Sequence, residues 1–442
     1  MKKRLLITAA ALMLTGCGNT IEPRESVPVV APEVTTDADD TTTDSPLIVI
    51  EEGEPAAATT TTAATSVTEP EKPKIDPELV NVACMDTVGV YDRIKQSDFV
   101  FDTNGKLLEG DTLIDTSSAG EHETTLKIEL DGGIAEKKVT YYVTDSAPPT
   151  FLLADDFSVQ KDSFFSMDAN ISYGDNCDPS PVMSFEGEVD TSKPGVYPVT
   201  VFLSDNSGNL TSKQINVTVT EETPSTGEQS NESLAFTDFV NRYNDGSREF
   251  GIDVSHWQGD IDFNAVKNAG CTFVIIRMGY GSNGGTDLDE NYFTNLENAR
   301  AAGLQVGVYF YITDTTKDGA KATAKRIVDT LGGQKLDFPI AFDWEEFQGF
   351  QDYGISLHDL CEVYETFAEE VEKSGYEAML YSSKNFLENT WENRSDRPIW
   401  LAHYVEQTSY EGKWFMWQRC GYGVIDGING AVDLNVLQRS GR

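Results

Sequence analysis

The chain has 442 residues, with 33 Lys and Arg against 73 Asp and Glu, a formal net charge of −40. So acidic a chain is repelled by nucleic acid and by anionic membrane surfaces, which excludes both as charge-driven partners. With 39% hydrophobic and 10% aromatic residues it holds too much apolar material to be disordered throughout, and its length fits about three domains.

Residues 1–17 read as a targeting leader. Met1-Lys2-Lys3-Arg4 is a short basic region, and Leu5 to Leu14 is an apolar run too short to span a bilayer as a mature helix. It ends in Leu14-Thr15-Gly16-Cys17, which resembles the lipobox of bacterial lipoproteins. The resemblance implies lipidation of Cys17 and a protein tethered to the outer face of the cell membrane. Acyl chains hold such an anchor firmly, at about 0.8 kcal/mol per buried methylene.

Residues 18–75 read as a disordered tether rich in Thr, Pro and acids. Twelve acidic residues face Arg24, Lys72 and Lys74, and almost no apolar periodicity persists. Such a stretch buries too little surface to offset chain entropy, and its charges and prolines keep it extended.

Residues 76–220 contain an internal repeat. Asp115-Thr116-Ser117-Ser118-Ala119-Gly120 recurs as Asp190-Thr191-Ser192-Lys193-Pro194-Gly195, an offset of 75 that also relates Thr125 to Thr200 and Gly133 to Gly208. Short strands between Gly- and Pro-containing turns predict two small all-β sandwiches, 76–147 and 148–220. The second copy resembles the Ig-like modules of bacterial surface proteins, through its Asp175-Asn176-Cys177-Asp178 loop and its Gly195-x-Tyr197-x-Val199 and Asp205-Asn206-Ser207-Gly208-Asn209 segments. Spacing is the commoner role of such modules, and Asp- and Asn-rich turns abound in them without any ion. Residues 221–247 read as a polar linker.

From 248 to 442 short apolar strands alternate with helical stretches. Candidate strands are Phe250–Ser255, Thr272–Met278, Gln305–Ile312, Pro339–Trp344, Glu377–Ser382, Ile399–Tyr404, Phe415–Arg419 and Val432–Leu437. Candidate helices include Asn291–Ala302, Gly319–Leu331 and Leu357–Lys373. This alternation predicts an α/β barrel of the (β/α)5(β)3 type, with its last three strands too close together for helices between them. In such barrels the chemistry sits at the C-terminal strand ends.

Asp343 and Glu345 are the sharpest signal there. Two residues apart on a strand, they share one face with Cα atoms about 6.6 Å apart. Paired carboxylates of this kind suit glycosidic bond cleavage, one of them holding its proton near neutral pH. Six Cys and four His, with no Cys-x-x-Cys and no His-x-x-x-His, argue against a metal site, and no cofactor is expected.

The context sharpens this reading. The segments Gly251-Ile252-Asp253-Val254-Ser255-His256-Trp257-Gln258-Gly259, Ile276-Arg277-Met278-Gly279, Val308-Tyr309-Phe310-Tyr311, Asp343-Trp344-Glu345, Trp400-Leu401-Ala402-His403-Tyr404, Trp417-Gln418 and Val432-Asp433-Leu434-Asn435 occur in that order. Together the seven motifs resemble the glycoside hydrolase family 25 lysozymes, N-acetylmuramidases of the Chalaropsis type. The resemblance implies hydrolysis of the β-1,4 bond between N-acetylmuramic acid and N-acetylglucosamine in peptidoglycan. It makes Glu345 the general acid and Asp343 the group that stabilises positive charge or positions the substrate acetamido group. Asp253 and Asp433 would line the same site, and Tyr309, Tyr311, Arg277, Trp400, Tyr404 and Trp417 would contact the glycan. A monomer is expected.

Overall fold

The structure, a computed structural model, describes residues 72–222, 233–282, 284–392 and 396–438. The leader with Cys17, and the tether up to residue 71, lie outside the described residues.

Two β units precede the barrel. In each, a long hairpin joins a four-stranded sheet that is accompanied by a two-stranded one. The hairpins are Gly120–Leu130 with Gly133–Thr144, and Gly195–Ser204 with Leu210–Thr220, so the 75-residue offset relates equivalent hairpins. Inward residues alternate along these strands: Leu126, Ile128, Ala135 and Tyr141 in the first unit, Val199, Val201, Leu203, Ile215 and Val217 in the second. The repeated Asp-Thr-Ser is the same turn in both. Asp115 Oδ1 accepts from Ser117 N and Oγ at 3.0 and 2.6 Å, and Asp190 Oδ1 accepts from Ser192 N and Oγ at 3.1 and 2.6 Å. The second unit's two-stranded sheet pairs Thr150–Leu153 with Ser172–Gly174.

The stretch 221–247, read as linker, is partly structural. Leu234–Ala235 pairs with a barrel strand, and the helix Phe236–Tyr243 buries Phe236, Phe239 and Tyr243 in the barrel's outer core. Their spacing of three and four is that of one helical face.

Eight strands close the barrel: β1 Arg248–Val254, β2 Phe273–Ser282, β3 Gln305–Ile312, β4 Ile340–Asp343, β5 Ala378–Ser383, β6 Ile399–Ala402, β7 Met416–Val424 and β8 Val432–Gln438. Neighbours from β1 to β7 are parallel, and β8 runs antiparallel to both β7 and β1. The helices are α1 Phe263–Asn268, α2 Tyr292–Ala301, α3 Lys317–Leu331, α4 Leu357–Lys373 and α5 Lys384–Asn389.

This corrects the expected fold class. The domain is a closed eight-stranded β-barrel of mixed direction, in a structure with 38% strand against 22% helix among the described residues, and not a (β/α) TIM barrel. The reversal at β8 is the physical reason. The connection from β7 to β8 is only 425–431, long enough for a turn and too short for the crossover that a parallel strand needs.

Two apolar layers hold the barrel. Phe273, Ile275, Ala341, Met379, Trp400, Met416 and Leu437 fill its inside. Outward residues such as Ile252, Val274, Val306, Ile340 and Phe342 pack under Ala299, Ala324, Ile327, Leu360 and Phe367 of the helices. Helix α4 starts in a reciprocal cap, with Ser356 Oγ accepting from Asp359 N at 3.0 Å and Asp359 Oδ2 accepting from Ser356 N at 3.0 Å.

Candidate active site

The site is a consequence of strand parity. Asp343 ends β4 facing inward, Trp344 turns outward into the core, and Glu345 comes back to the barrel mouth. Trp344 is fully buried and its Nε1 donates to Asp314 O at 3.1 Å, which pins the strand end. Glu346 accepts from Tyr311 OH at 2.7 Å and Tyr353 OH at 3.2 Å.

Asp253 on β1 and Asp433 on β8 are paired in the antiparallel register, so two distant parts of the chain meet. Asp253 Oδ2 accepts from Asn435 Nδ2 at 2.7 Å and Gln418 Nε2 at 3.0 Å. Both amides are oriented by aromatic donors. Trp400 Nε1 donates to Asn435 Oδ1 at 2.8 Å, while Tyr381 OH and Tyr404 OH donate to Gln418 Oε1 at 2.8 and 2.7 Å. Burial raises the Asp253 carboxyl above its ordinary range, and the N–H groups that this network presents to it oppose that rise.

The other carboxyls are raised as well. Lost hydration and the nearby charge of Asp253 hold Asp433 well above the usual carboxylate range, and its proton goes toward Asp253. Asp343 is raised by burial and by the charges of Glu345 and Asp253, opposed by Arg277, and its Oδ1 is buried without a hydrogen-bond partner. Glu345 is open to solvent at the mouth, yet it sits deep in a crowded concave surface. Loss of hydration there, aided by the charges of Asp253 and Glu346 and opposed by a Tyr381 hydrogen bond, lifts it to about 7. The site thus couples groups of unequal proton affinity, which is what acid catalysis at a glycosidic oxygen requires.

The expected glycan contacts divide. Tyr309 and Tyr311 are half-buried on the inner wall, and Tyr404 is exposed at the rim. Trp400 is fully buried beneath the site and serves the Asn435 amide. Trp417 faces away, packed edge-on against Tyr243 at 5.5 Å with its Nε1 donating to His403 O at 2.8 Å. Arg277 is committed to an ion pair: its Nε donates to Asp289 Oδ2 at 2.8 Å and its guanidinium also touches His256. Sequence reasoning places Gln418 and Asn435 in motifs without giving them a role, and misses Tyr381 and Asp289. Parity along β7 and β8 would have found the first two, since Asn435 follows Asp433 by two and Gln418 alternates with Trp417.

Among the described residues, the group best placed for a metal lies elsewhere, where ligand atoms of Asp145, Asp175 and Cys177 fall within 4.8 Å of one another. Those carboxylates already accept from Ala147 N, Cys177 N, Asp178 N and Asn209 Nδ2.

Comparison with known proteins places this geometry. The model of the family described as glycosyl hydrolases family 25 matches residues 252–428. The autolytic lysozyme of Clostridium acetobutylicum is 30% identical over 189 residues, 42% of this chain, and the chain spans 54% of that protein's length. Lysozyme M1 of Streptomyces globisporus is 30% identical over 203 residues, covering 43% of this chain and 68% of that one. Among solved structures, the bacterial lysozyme from Streptomyces coelicolor is 28% identical, covers 43% of this chain and 92% of its own, and has a TM-score of 0.38. With its barrel segment aligned to these proteins, the chain belongs to family 25 of the glycosyl hydrolases, enzymes of the glycosidase class.

Proposed function

We propose that this protein is a muramidase that hydrolyses the β-1,4 bond between N-acetylmuramic acid and N-acetylglucosamine in peptidoglycan, with Glu345 as general acid. The observation that carries the reading is Glu345 itself, a carboxyl lifted to about 7 at the barrel mouth beside Asp343. In the reaction Glu345 delivers its proton to the glycosidic oxygen as the bond to the anomeric carbon breaks, and the leaving sugar departs as a neutral alcohol. Asp343 answers the positive charge that develops on the other side of that bond. It does so as a free carboxylate or by aligning the substrate acetamido group, whose carbonyl oxygen then acts as internal nucleophile. Water completes the hydrolysis and Glu345 recovers a proton. The aromatic rim at Tyr404 and the wall at Tyr309 and Tyr311 offer stacking faces for the sugars. The lysozyme names of the aligned relatives support the substrate class.

The Leu14-Thr15-Gly16-Cys17 leader supports a lipid anchor at Cys17, with the enzyme held on the outer face of the membrane and reaching wall glycan across the acidic tether.

The test is mass analysis of products released from purified peptidoglycan by the full chain and by its Glu345→Gln variant. The expected result is new reducing ends on N-acetylmuramic acid from the wild type, reduced about 10²- to 10⁴-fold in the variant. Retained binding with no release by the wild type overturns the enzyme reading in favour of a glycan-binding barrel. Equal release by both overturns Glu345 as the acid.

A further inference from the structure

The loop that follows Glu345 is not held by the barrel alone. Between Glu345 and the start of α4 at Leu357 the chain makes a single 3-10 turn, Phe350–Tyr353. That turn is flanked by Gly349 and Gly354, both in the left-handed region at φ +68° and +64°. Local sequence therefore leaves this loop's path largely unspecified.

Its outer side is bonded to the second β unit. Gln348 Nε2 donates to Ala169 O at 3.3 Å, Gly349 N to Ser172 Oγ at 2.8 Å, and Gln351 Nε2 to Ile171 O at 3.2 Å. In return Tyr173 N donates to Gln351 Oε1 at 3.3 Å. Leu357 N donates to Asp175 O at 2.8 Å and His358 N to Asn176 O at 3.2 Å. These last two are the first amides of α4, which lack intrahelical partners in any helix and here are satisfied by the other unit.

The apolar contact is equally close. A Cβ built at Gly174 would lie 2.9 Å from the Phe350 ring and 3.0 Å from Leu357 Cδ2, so glycine alone fits that approach. Leu152 of the same two-stranded sheet is buried within the barrel's outer core. Tyr91 of the first β unit, itself at φ +62°, stacks on His358 at 3.3 Å between centroids. A spacer requires none of this.

We infer that the second β unit is a brace for the catalytic loop: its strand Ser172–Gly174 fixes residues 347–358 and through them the position of Glu345, so that full turnover needs the unit docked. The inference rests on the muramidase reading for its activity readout. Ser172, Tyr173, Gly174 and Gln351 are positioning residues in this scheme and touch no substrate.

The test uses the full chain with Gly174→Leu, which wedges the contact at Phe350, and separately Gln351→Ala, which removes two cross-links without adding bulk. Amide exchange of 347–358, read by mass spectrometry, reports docking directly. Both variants are expected to exchange faster there. kcat is expected to fall, about tenfold or more for Gly174→Leu, with KM nearly unchanged. The alkaline limb of the pH profile should also move to lower pH as the crowding around Glu345 relaxes. Simple loss of folded protein would scale kcat without moving that limb. Faster exchange with wild-type kcat and an unmoved limb overturns the brace. If Gly174→Leu fails to fold, Gln351→Ala carries the same decision. An inactive wild type would instead count against the muramidase reading, which no change in the variants alone can do.

Discussion

A carboxyl group donates a proton near pH 7 only where its charged form is disfavoured, and Glu345 meets that condition through crowding and like charge. The same shift has a stability consequence with a definite sign. A raised carboxyl stays protonated in the fold while the unfolded chain ionises, so its contribution is intact below about 4.5 and is lost as pH rises through about 7. Glu345→Gln is therefore expected to raise the melting temperature relative to wild type at pH 8 and to leave it near wild type at pH 4, measured by calorimetry. Trp400 shows a second residue-scale effect. Its indole N–H is the donor that orients Asn435, and Trp400→Phe would leave Asn435 Oδ1 buried and unbonded. That change is expected to cost about 1–3 kcal/mol in urea unfolding. At this scale Asp253, Asp343, Glu345 and Asp433 were legible as residue types in motifs. The amides that tune Asp253 were not singled out, because Gln and Asn carry no chemistry until a partner fixes which atom they present.

The elements that carry these residues obey simple rules of parity and capping. Along β4 the inward positions are Ala341 and Asp343, and the outward ones Ile340 and Phe342, which is why an apolar strand ends in a usable acid. Along β7 the same alternation sends Trp417 outward and Gln418 inward, so aromatic character alone misplaced the sugar contact. Helix α4 depends on its reciprocal cap. Ser356→Ala is expected to cost about 1 kcal/mol, read from the urea midpoint. Its apolar positions Leu357, Leu360, Val363, Tyr364, Phe367 and Val371 were plain in the sequence, and all are buried. The helix Phe236–Tyr243 carries the same spacing, but it is only two turns long between polar stretches, so its sequence reads as linker.

For the whole molecule, the two β units and the barrel share a junction where Tyr91, Asp175, Asn176 and His358 meet. The proposed anchor lies at the other end of the chain. Metabolic labelling with palmitate is expected to mark the wild type and to be lost in Cys17→Ser. Order along the chain determined a good deal by itself. The repeat of 75, the acidic tether composition, the eight apolar strands and the carboxylate-bearing motifs all follow from local pattern, since burial demands periodicity and solvation demands its absence. Closure was decided only in three dimensions. Whether β8 runs with or against its neighbours, which face Trp417 takes, and whether a β unit hangs free or grips the loop behind Glu345 depend on contacts between residues far apart in the chain, as Gln351 and Ile171 are at 180 positions. No local periodicity records such contacts, because their energy belongs to surfaces that exist only after the chain has folded.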